Sequence, residues 1–258
     1  MMTGTTMFPV EDLLENTTSG STVTIIYDTY SSAWQIFFLL LRKALEKSYF
    51  AVISNYSTPL RGLIHRCASV GLDAEKALKS SSVAIIDVFG SRYSSVRPEI
   101  ENVFYLDKVE PETINPKIDK IYLGPLGEKL KSEKAIRMIY TLDGASLMFG
   151  EEQTLKLLNQ TIVEKNTHFP ESILLLPVNE DIVSKRFVAW VSSVSDYVLL
   201  ARSWIQEDYI KESLYFIKAP HPDFEPAVYS LRVSKGREKI MLKKLSAPEL
   251  GPPAEEKR

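Results

Sequence analysis

The stretch VTIIYDTYSSAWQIFFLLL, residues 23–41, decides the fold class of this chain. Residues 23–27 form a mainly apolar run that is typical of a buried strand, and residues 36–41 are apolar throughout. A helix that is apolar on nearly all faces is buried on most of them, so 33–47 is predicted to be a buried helix. A strand, a tight loop and a buried helix in this order often open an α/β domain and form a phosphate-binding loop.

The rest of the chain alternates between the two kinds of element as far as residue 191. Strands are predicted at 50–54, 83–87, 103–106, 136–142 and 172–176, and helices at 58–70, 151–165 and 182–191. This alternation favours a mainly parallel sheet with helices on both faces. Beyond residue 196 only strands follow, which suits antiparallel additions at one edge of the sheet; they are predicted at 197–200, 214–217 and 228–233.

The length of 258 residues and a hydrophobic fraction of 45% predict a folded domain with a substantial core rather than a disordered chain. We expect one domain from residue 1 to 235. Within it, the charged and proline-rich segment 107–134 is predicted to be a surface excursion with one short helix at 126–131. The polar residues 236–258 are expected to form a frayed tail.

Charge and cysteine content indicate which partners the protein does not attract and which cellular compartment suits it. With 31 basic and 33 acidic residues the net charge is −2, so no overall field draws the protein to nucleic acid or to an anionic membrane. The single cysteine, Cys67, excludes an intramolecular disulfide and fits a reducing compartment. Residues 1–22 lack the apolar core of a signal peptide, and the apolar stretch 33–41 is too short to span a bilayer. A soluble cytoplasmic protein is therefore expected.

Five short segments carry a resemblance to a known fold. They are VEDLL at 10–14, GSTVTIIY at 20–27, GLD at 71–73, VAIID at 83–87 and YFIK at 215–218. Their order resembles the RecA-like ATPase fold, in particular its archaeal KaiC-like and RadA-like branch, from Phe8 to about Gly236. More narrowly, the chain looks like a small uncharacterised family of hyperthermophilic Thermococcus-type archaea. That resemblance implies a fold and no particular activity.

The phosphate-binding loop of such ATPases reads GxxxxGK followed by Ser or Thr, and this chain has lost every chemically necessary member of it. Asp28 stands at the first glycine, Ala33 at the second, Trp34 at the lysine and Gln35 at the hydroxyl residue. The positions between the two glycines are occupied by Thr29, Tyr30, Ser31 and Ser32.

These replacements oppose triphosphate binding. Loss of the lysine removes a charge-assisted hydrogen bond of roughly 1.5 to 3 kcal/mol. A carboxylate at Asp28 facing a phosphate about 4 Å away adds about 4 kcal/mol of repulsion at an effective dielectric constant of 20. The indole of Trp34 either packs in the core at the helix start, or plugs the vacated pocket or anchors a partner.

The other parts of the ATPase machinery are also missing or displaced. Residues 48–72 contain no Asp or Glu, and Asn55 and Tyr56 stand where a general base is needed. In the second signature strand, 137–143, Thr141 occupies the position of the magnesium-binding Asp, and Asp143 follows two residues later. Asp143 either holds a cation or belongs to an Asp-Gly turn at the strand end. The three histidines and Cys67 lack metal-ligand spacing, so no metal site is expected.

The leading hypothesis is a RecA-like pseudo-ATPase that is not an enzyme, needs no cofactor and binds a protein or a peptide. Its candidate ligand site lies at the carboxyl ends of the strands, where ligands usually bind in such sheets. A non-hydrolysing sensor of nucleotide or another anion, built on the loop hydroxyls, is the main alternative; a DNA-associated accessory protein is a weaker one. Because RecA-like assemblies often use nucleotide at the subunit interface, we expect a monomer or dimer rather than a hexamer. The site residues are Asp28, Thr29, Tyr30, Ser31, Ser32, Ala33, Trp34, Gln35, Asn55, Tyr56, Thr141 and Asp143.

Overall fold

In the computed structural model, which describes residues 7–206, 209–233 and 239–245, one sheet runs through the whole described chain. Its strands across these residues are β1 Met7–Pro9, β2 Thr22–Tyr27, β3 Phe50–Asn55, β4 Val83–Asp87, β5 Val103–Phe104, β6 Ala135–Tyr140, β7 Ile173–Asn179, β8 Tyr197–Ile205, β9 Ile210–Lys218, β10 Ala227–Val233 and β11 Ile240–Lys244. They lie side by side in the order β1-β11-β10-β9-β8-β2-β7-β6-β3-β4-β5.

Helices cover both faces of this sheet. In the described residues they are α1 Ile36–Glu46, α2 Leu60–Ala68, α3 Ala74–Lys79, α4 Val88–Tyr93, α5 Ile114–Leu123, α6 Gly127–Ser132, α7 Leu142–Phe149, α8 Glu151–His168 and α9 Lys185–Val194. Short 3-10 helices span Val10–Asn16 and Ser32–Gln35. One hydrophobic cluster contains α1 and Ile25 of β2, and a second contains α5 and the adjacent Ile26. Neighbouring residues of β2 thus point into different cores. Both faces of the strand are buried, so its sequence is apolar at successive positions rather than at every second one.

The sheet has a parallel part and an antiparallel part. From β8 through β2, β7, β6, β3 and β4 to β5 all pairs are parallel. From β8 through β9, β10 and β11 to β1 they are antiparallel. The predicted fold class, a mainly parallel sheet with helices on both faces and antiparallel strands at one edge, is confirmed. No helix in the described ranges is long and apolar enough to cross a membrane.

The segment 107–134 is not a surface excursion. It forms α5 and α6, and apolar side chains that recur every four residues bury one side of it in the second core. These side chains are Ile114, Ile118, Tyr122, Leu126 and Leu130. A spacing of four residues places Ile114, Ile118 and Tyr122 on one face of α5, and Leu126 and Leu130 continue the buried side at α6. The charges and prolines of this segment hid that pattern in the sequence.

The predicted tail also contains a strand. Ile240–Lys244 forms β11, which lies between β1 and β10, and both Ile240 and Leu242 are fully buried. Alternation of buried and more exposed residues is the pattern of a strand with one face on the core. Of the residues for which fraying was predicted, 236–238 and 246–258 lie outside the described residues.

Candidate functional site

The predicted site residues meet at the edge of the sheet where the parallel strands end. The loop that contains Asp28 follows β2, while Asn55 ends β3 and Thr141 follows β6. Tyr56 donates its backbone N–H to the carbonyl of Tyr140 at 2.6 Å, which joins the ends of β3 and β6. Parallel strands bring their carboxyl ends to the same edge, and so residues far apart in sequence become neighbours.

Asp28 is held by the chain itself. One of its carboxylate oxygens accepts the backbone N–H of Ser203 on β8 at 2.6 Å, and the other accepts the Ser203 hydroxyl at 2.5 Å. The backbone N–H of Tyr30 adds a third bond, at 3.1 Å. The carboxylate therefore fastens the start of the loop to β8.

A second carboxylate, from Glu212 on β9, lies against the centre of the loop. It accepts the Ser31 hydroxyl at 2.9 Å, the backbone N–H of Ser32 at 2.8 Å and the Ser32 hydroxyl at 2.8 Å. A backbone N–H and two hydroxyls at the start of a helical turn are donors of the kind that bind phosphate oxygens. In this chain they bind an internal anion, which sequence reasoning missed because Glu212 is 180 residues away.

A third carboxylate, from Asp181, contacts the loop on its exposed side. The backbone N–H of Thr29 donates to Asp181 at 2.8 Å, and the Thr29 hydroxyl accepts the side-chain amide of Asn179 at 3.4 Å. The ring of Tyr30 is 63% exposed. The backbone donors of Thr29, Tyr30 and Ser32 are thus all bound to carboxylates of the same chain.

Trp34 lies half-buried between the core and the carboxyl edge. Its indole contacts the ring of Phe38 edge-on, with 6.2 Å between ring centres, while the neighbouring Ala33 and Gln35 are buried. The guanidinium of Arg66 lies 5.9 Å from the Trp34 ring and 5.6 Å from the Tyr140 ring, and it donates to the Tyr140 hydroxyl. One cation of this edge therefore comes from α2 and lies against two aromatic rings. Another, Arg202 of β8, forms a salt bridge with Glu180, which follows β7. The side-chain oxygen of Gln35 has no hydrogen-bond partner within the described part of the chain.

A buried polar pair occupies the corner after β3. The side-chain amide of Asn55 donates to Asp87, the last residue of β4, at 2.8 Å and to the carbonyl of Thr58 at 2.7 Å. Asp87 also accepts the backbone N–H of Gly90 at 3.0 Å, and burial raises the pKa of its carboxyl group. A carboxylate therefore does reach the corner, from the next strand. Burial likewise raises the pKa of Tyr56, whose ring contacts Phe149 edge-on.

Thr141 and Asp143 open a helix rather than a turn. β6 ends at Tyr140, and the Thr141 hydroxyl caps α7 by accepting the backbone N–H of Gly144 at 3.0 Å. Asp143 lies in the first turn of α7, is 6% exposed and accepts the backbone N–H of Asn179 at 2.9 Å. The strand predicted at 136–142 therefore ends two residues earlier than expected, at Tyr140. Within the described ranges, no group of three or more His, Cys, Asp or Glu side chains could hold a metal ion.

Asp143 gives the first testable prediction. Burial raises the pKa of its carboxyl group, against the opposing effect of the hydrogen bond from Asn179. The native state thus keeps the proton to a higher pH than the unfolded chain, so wild-type stability falls as pH rises from about 4 through the raised pKa. Relative to Asp143→Asn, we expect a loss of at most about 1.4 kcal/mol per pH unit. Urea unfolding from pH 3 to 7 measures it.

The exposed Asp223 provides the control for this experiment. Asp223→Asn changes an exposed residue and is expected to follow the wild type at every pH. A constant difference between wild type and Asp143→Asn across the pH range would contradict the prediction.

The sheet order is that of a RecA-like α/β fold. No family model matches the sequence, and the comparison with curated proteins gives no match either. Among solved structures, the chain is similar to an uncharacterised protein of Pyrococcus horikoshii in complex with an unknown peptide. That similarity has a TM-score of 0.73 at 24% identity and covers 89% of this chain and 94% of the other. A KaiC-like protein of the hyperthermophilic archaeon Pyrococcus horikoshii is also similar, with a TM-score of 0.65 at 16% identity over 91% of this chain and 95% of the other.

Proposed function

We propose that this chain is a RecA-like pseudo-ATPase, not an enzyme, that binds a protein or a peptide at the carboxyl edge of its sheet. The observation that carries the proposal is the position of Glu212, whose carboxylate binds the backbone N–H and hydroxyl donors of the loop. These are the donors on which a nucleotide or anion sensor would depend. An internal carboxylate on these donors supports a role that does not require phosphate.

Electrostatics strengthen this argument. A phosphate about 4 Å from the Glu212 carboxylate would meet about 4 kcal/mol of repulsion at an effective dielectric constant of 20. Asp28 and Asp181, which also bind the loop, add negative charge on either side. Of the nearby cations, Arg66 donates to Tyr140 and lies against two aromatic rings, and Arg202 forms a salt bridge with Glu180. Phosphate binding would require Glu212 to leave three hydrogen bonds.

An apolar groove at the same edge supports the choice of a peptide. The carboxyl-edge groove lies beside the ends of β3 and β4, has a volume of about 290 Å³ and is lined mainly by Pro59, Leu60, Phe89, Tyr93, Val96 and Tyr105. Tyr93 and Val96 are 60% and 73% exposed. Exposed aromatic and aliphatic side chains around a groove suit the anchor residues of a peptide. A structure with the same fold contains an unknown peptide, which is consistent with such a role.

Nucleotide binding is tested through Trp34, in a background where Trp190 and Trp204 are replaced by Phe. We expect no Trp34-dependent fluorescence change and no heat in calorimetry with Mg-ATP or Mg-ADP up to about 1 mM, because the loop donors are already bound. A saturable change would contradict the pseudo-ATPase proposal and favour the nucleotide sensor.

The role of Glu212 is tested with pyrophosphate. We expect Glu212→Gln to bind it at least about ten times more tightly than the wild type, since removal of one charge removes more than 1.4 kcal/mol of repulsion. Glu225→Gln, at an exposed carboxylate, is the matched control. Equal affinities for the wild type and Glu212→Gln would show that the carboxylate does not block the loop.

Peptide binding at the carboxyl-edge groove is tested separately. Selection from a random peptide library on the full chain would be followed by titration of the recovered peptides against two variants. Val96→Asp places a charge in the carboxyl-edge groove and is expected to weaken binding at least about tenfold. Val163→Asp, at a residue of α8 that is 61% exposed and outside the groove, is expected to bind like the wild type. Equal loss in both variants would contradict the placement of the site.

A further inference from the structure

A second cavity lies at the opposite end of the sheet from the loop. It has a volume of about 200 Å³ and is lined by residues near the amino ends of the parallel strands, including Val23 of β2, Ile173 of β7 and Tyr197 of β8. The 3-10 helix Val10–Asn16 covers it on one side, and Leu40 of α1 lines it on another. It is therefore separate from both the loop and the carboxyl-edge groove.

The interior of this cavity is apolar. Its floor contains Ile25, Leu40 and Leu175, all of them buried. One wall is aromatic, because Tyr229 lies edge-on to Phe8 and to Phe216, with 5.5 and 4.9 Å between ring centres. None of the described residues that line it is Asp, Glu, Lys or Arg.

The mouth of the cavity, by contrast, is polar. The Tyr197 hydroxyl lies 3.0 Å from Nε2 of the exposed His221 and donates to the carbonyl of Asn16 at 3.1 Å. It also accepts the backbone N–H of Thr18 at 3.1 Å. The Tyr197 hydroxyl is thus satisfied within the chain, but the exposed side chains of Asn16 and His221 also line the cavity and can bind a polar group of a ligand at the mouth. The part of the ligand beyond the mouth meets mainly apolar side chains.

We propose that this cavity is a binding site for a small uncharged aromatic ring, between benzene and indole in size, whose polar substituent points to the mouth. Size supports this assignment, because an apolar cavity of about 150 Å³ in another protein stays dry and binds benzene. Water is a poor occupant, since a buried water needs two to four polar partners and the floor offers none. Protein interiors are close-packed, so the side chains around an empty cavity of this size lack van der Waals contacts that a ligand would supply.

The chemistry of the walls selects the ligand. Three aromatic rings, those of Phe8, Phe216 and Tyr229, line the cavity, and an aromatic ligand can add ring contacts to them that a saturated ring cannot. A charged group on the inserted part would lose its hydration without a partner of opposite charge among the lining residues. This site does not depend on the proposed function, and either can fail without the other.

The test uses the full chain with benzene, phenol, indole and benzoate as probes. Melting temperature and proton NMR of the methyl groups would be followed during each titration. At ten times the dissociation constant, the three uncharged probes are expected to raise the melting temperature by about 3 to 5 °C. Benzoate, which has a ring of the same size and a full charge, is expected to cause no shift. A shift with benzoate equal to that with benzene, or no shift with any probe, would overturn the proposal.

Two variants that fill the cavity locate the site. Ala219→Phe adds a ring at a lining residue of the mouth, and Leu13→Trp adds one from the covering 3-10 helix. Each is expected to weaken phenol binding at least about tenfold. Ile217→Phe, at a residue of the same strand as Phe216 that is 46% exposed and does not line the cavity, is the matched control. Unchanged binding in both filling variants, with a melting temperature near that of the wild type, would place the ligand elsewhere and overturn the proposal.

Discussion

Replacement of Phe38 by alanine is expected to lower the free energy of unfolding by about 3 to 5 kcal/mol. Phe38 lies in α1 and is fully buried. Its ring is 6.2 Å from that of Trp34 and 5.1 Å from that of Tyr140, so it packs the core directly beneath the candidate site. Deletion of this ring removes the transfer free energy of a large side chain and leaves a cavity that close-packed neighbours fill only partly. Guanidinium unfolding followed by circular dichroism measures the change.

The same substitution gives a local signal at the site. Because Trp34 loses its edge-on neighbour, its fluorescence emission is expected to shift to longer wavelength in a background where Trp190 and Trp204 are Phe. Val163→Ala, at a side chain of α8 that is 61% exposed, is the control and is expected to cost less than about 0.5 kcal/mol. A loss below 1 kcal/mol for Phe38→Ala, or an unchanged Trp34 spectrum, would mean that the two rings are not packed together.

The sequence predicts the framework of this fold well, and the reason is burial. All six residues of β2 are buried, and α1 is buried over most of its first two turns. Elements enclosed on both sides must be apolar throughout, so that a continuous run gives a strong signal. The short helices α3, α4 and α7 have six to eight residues, which is too few for a clear period of 3.6.

The clustering of the candidate residues could be predicted, because parallel strands end at one edge, but their hydrogen-bond partners could not. The sequence shows that a carboxylate at Asp28 would oppose phosphate binding. It does not show that this carboxylate binds Ser203, which is 175 residues away on β8. Glu212 stands in a strand between Lys211 and Ser213, where a charged residue normally faces solvent. Hydrogen bonds between such distant residues leave no periodic trace in the sequence.

Gly144→Ala is expected to lower the free energy of unfolding by about 1 to 3 kcal/mol, as overpacking of a buried contact typically does. Gly144 lies in the first turn of α7, beside Ser57. A Cβ atom at this position would lie 2.0 Å from the Ser57 hydroxyl oxygen and 3.1 Å from its Cα atom. The hydroxyl cannot move away freely, because it accepts the backbone N–H of Thr141 at 2.8 Å and contacts the Thr141 hydroxyl at 2.6 Å.

A double-mutant cycle with Ser57→Gly separates this clash from any effect of alanine on the helix. Ser57→Gly alone is expected to destabilise the chain, since it removes both hydrogen bonds to Thr141. In that background, Gly144→Ala no longer meets the side chain of Ser57, so its additional cost is expected to fall by at least about 1 kcal/mol. Urea unfolding of the four proteins gives the coupling free energy. Additive effects would show that the two residues do not touch, and that the ends of β3 and β6 are not joined through this contact.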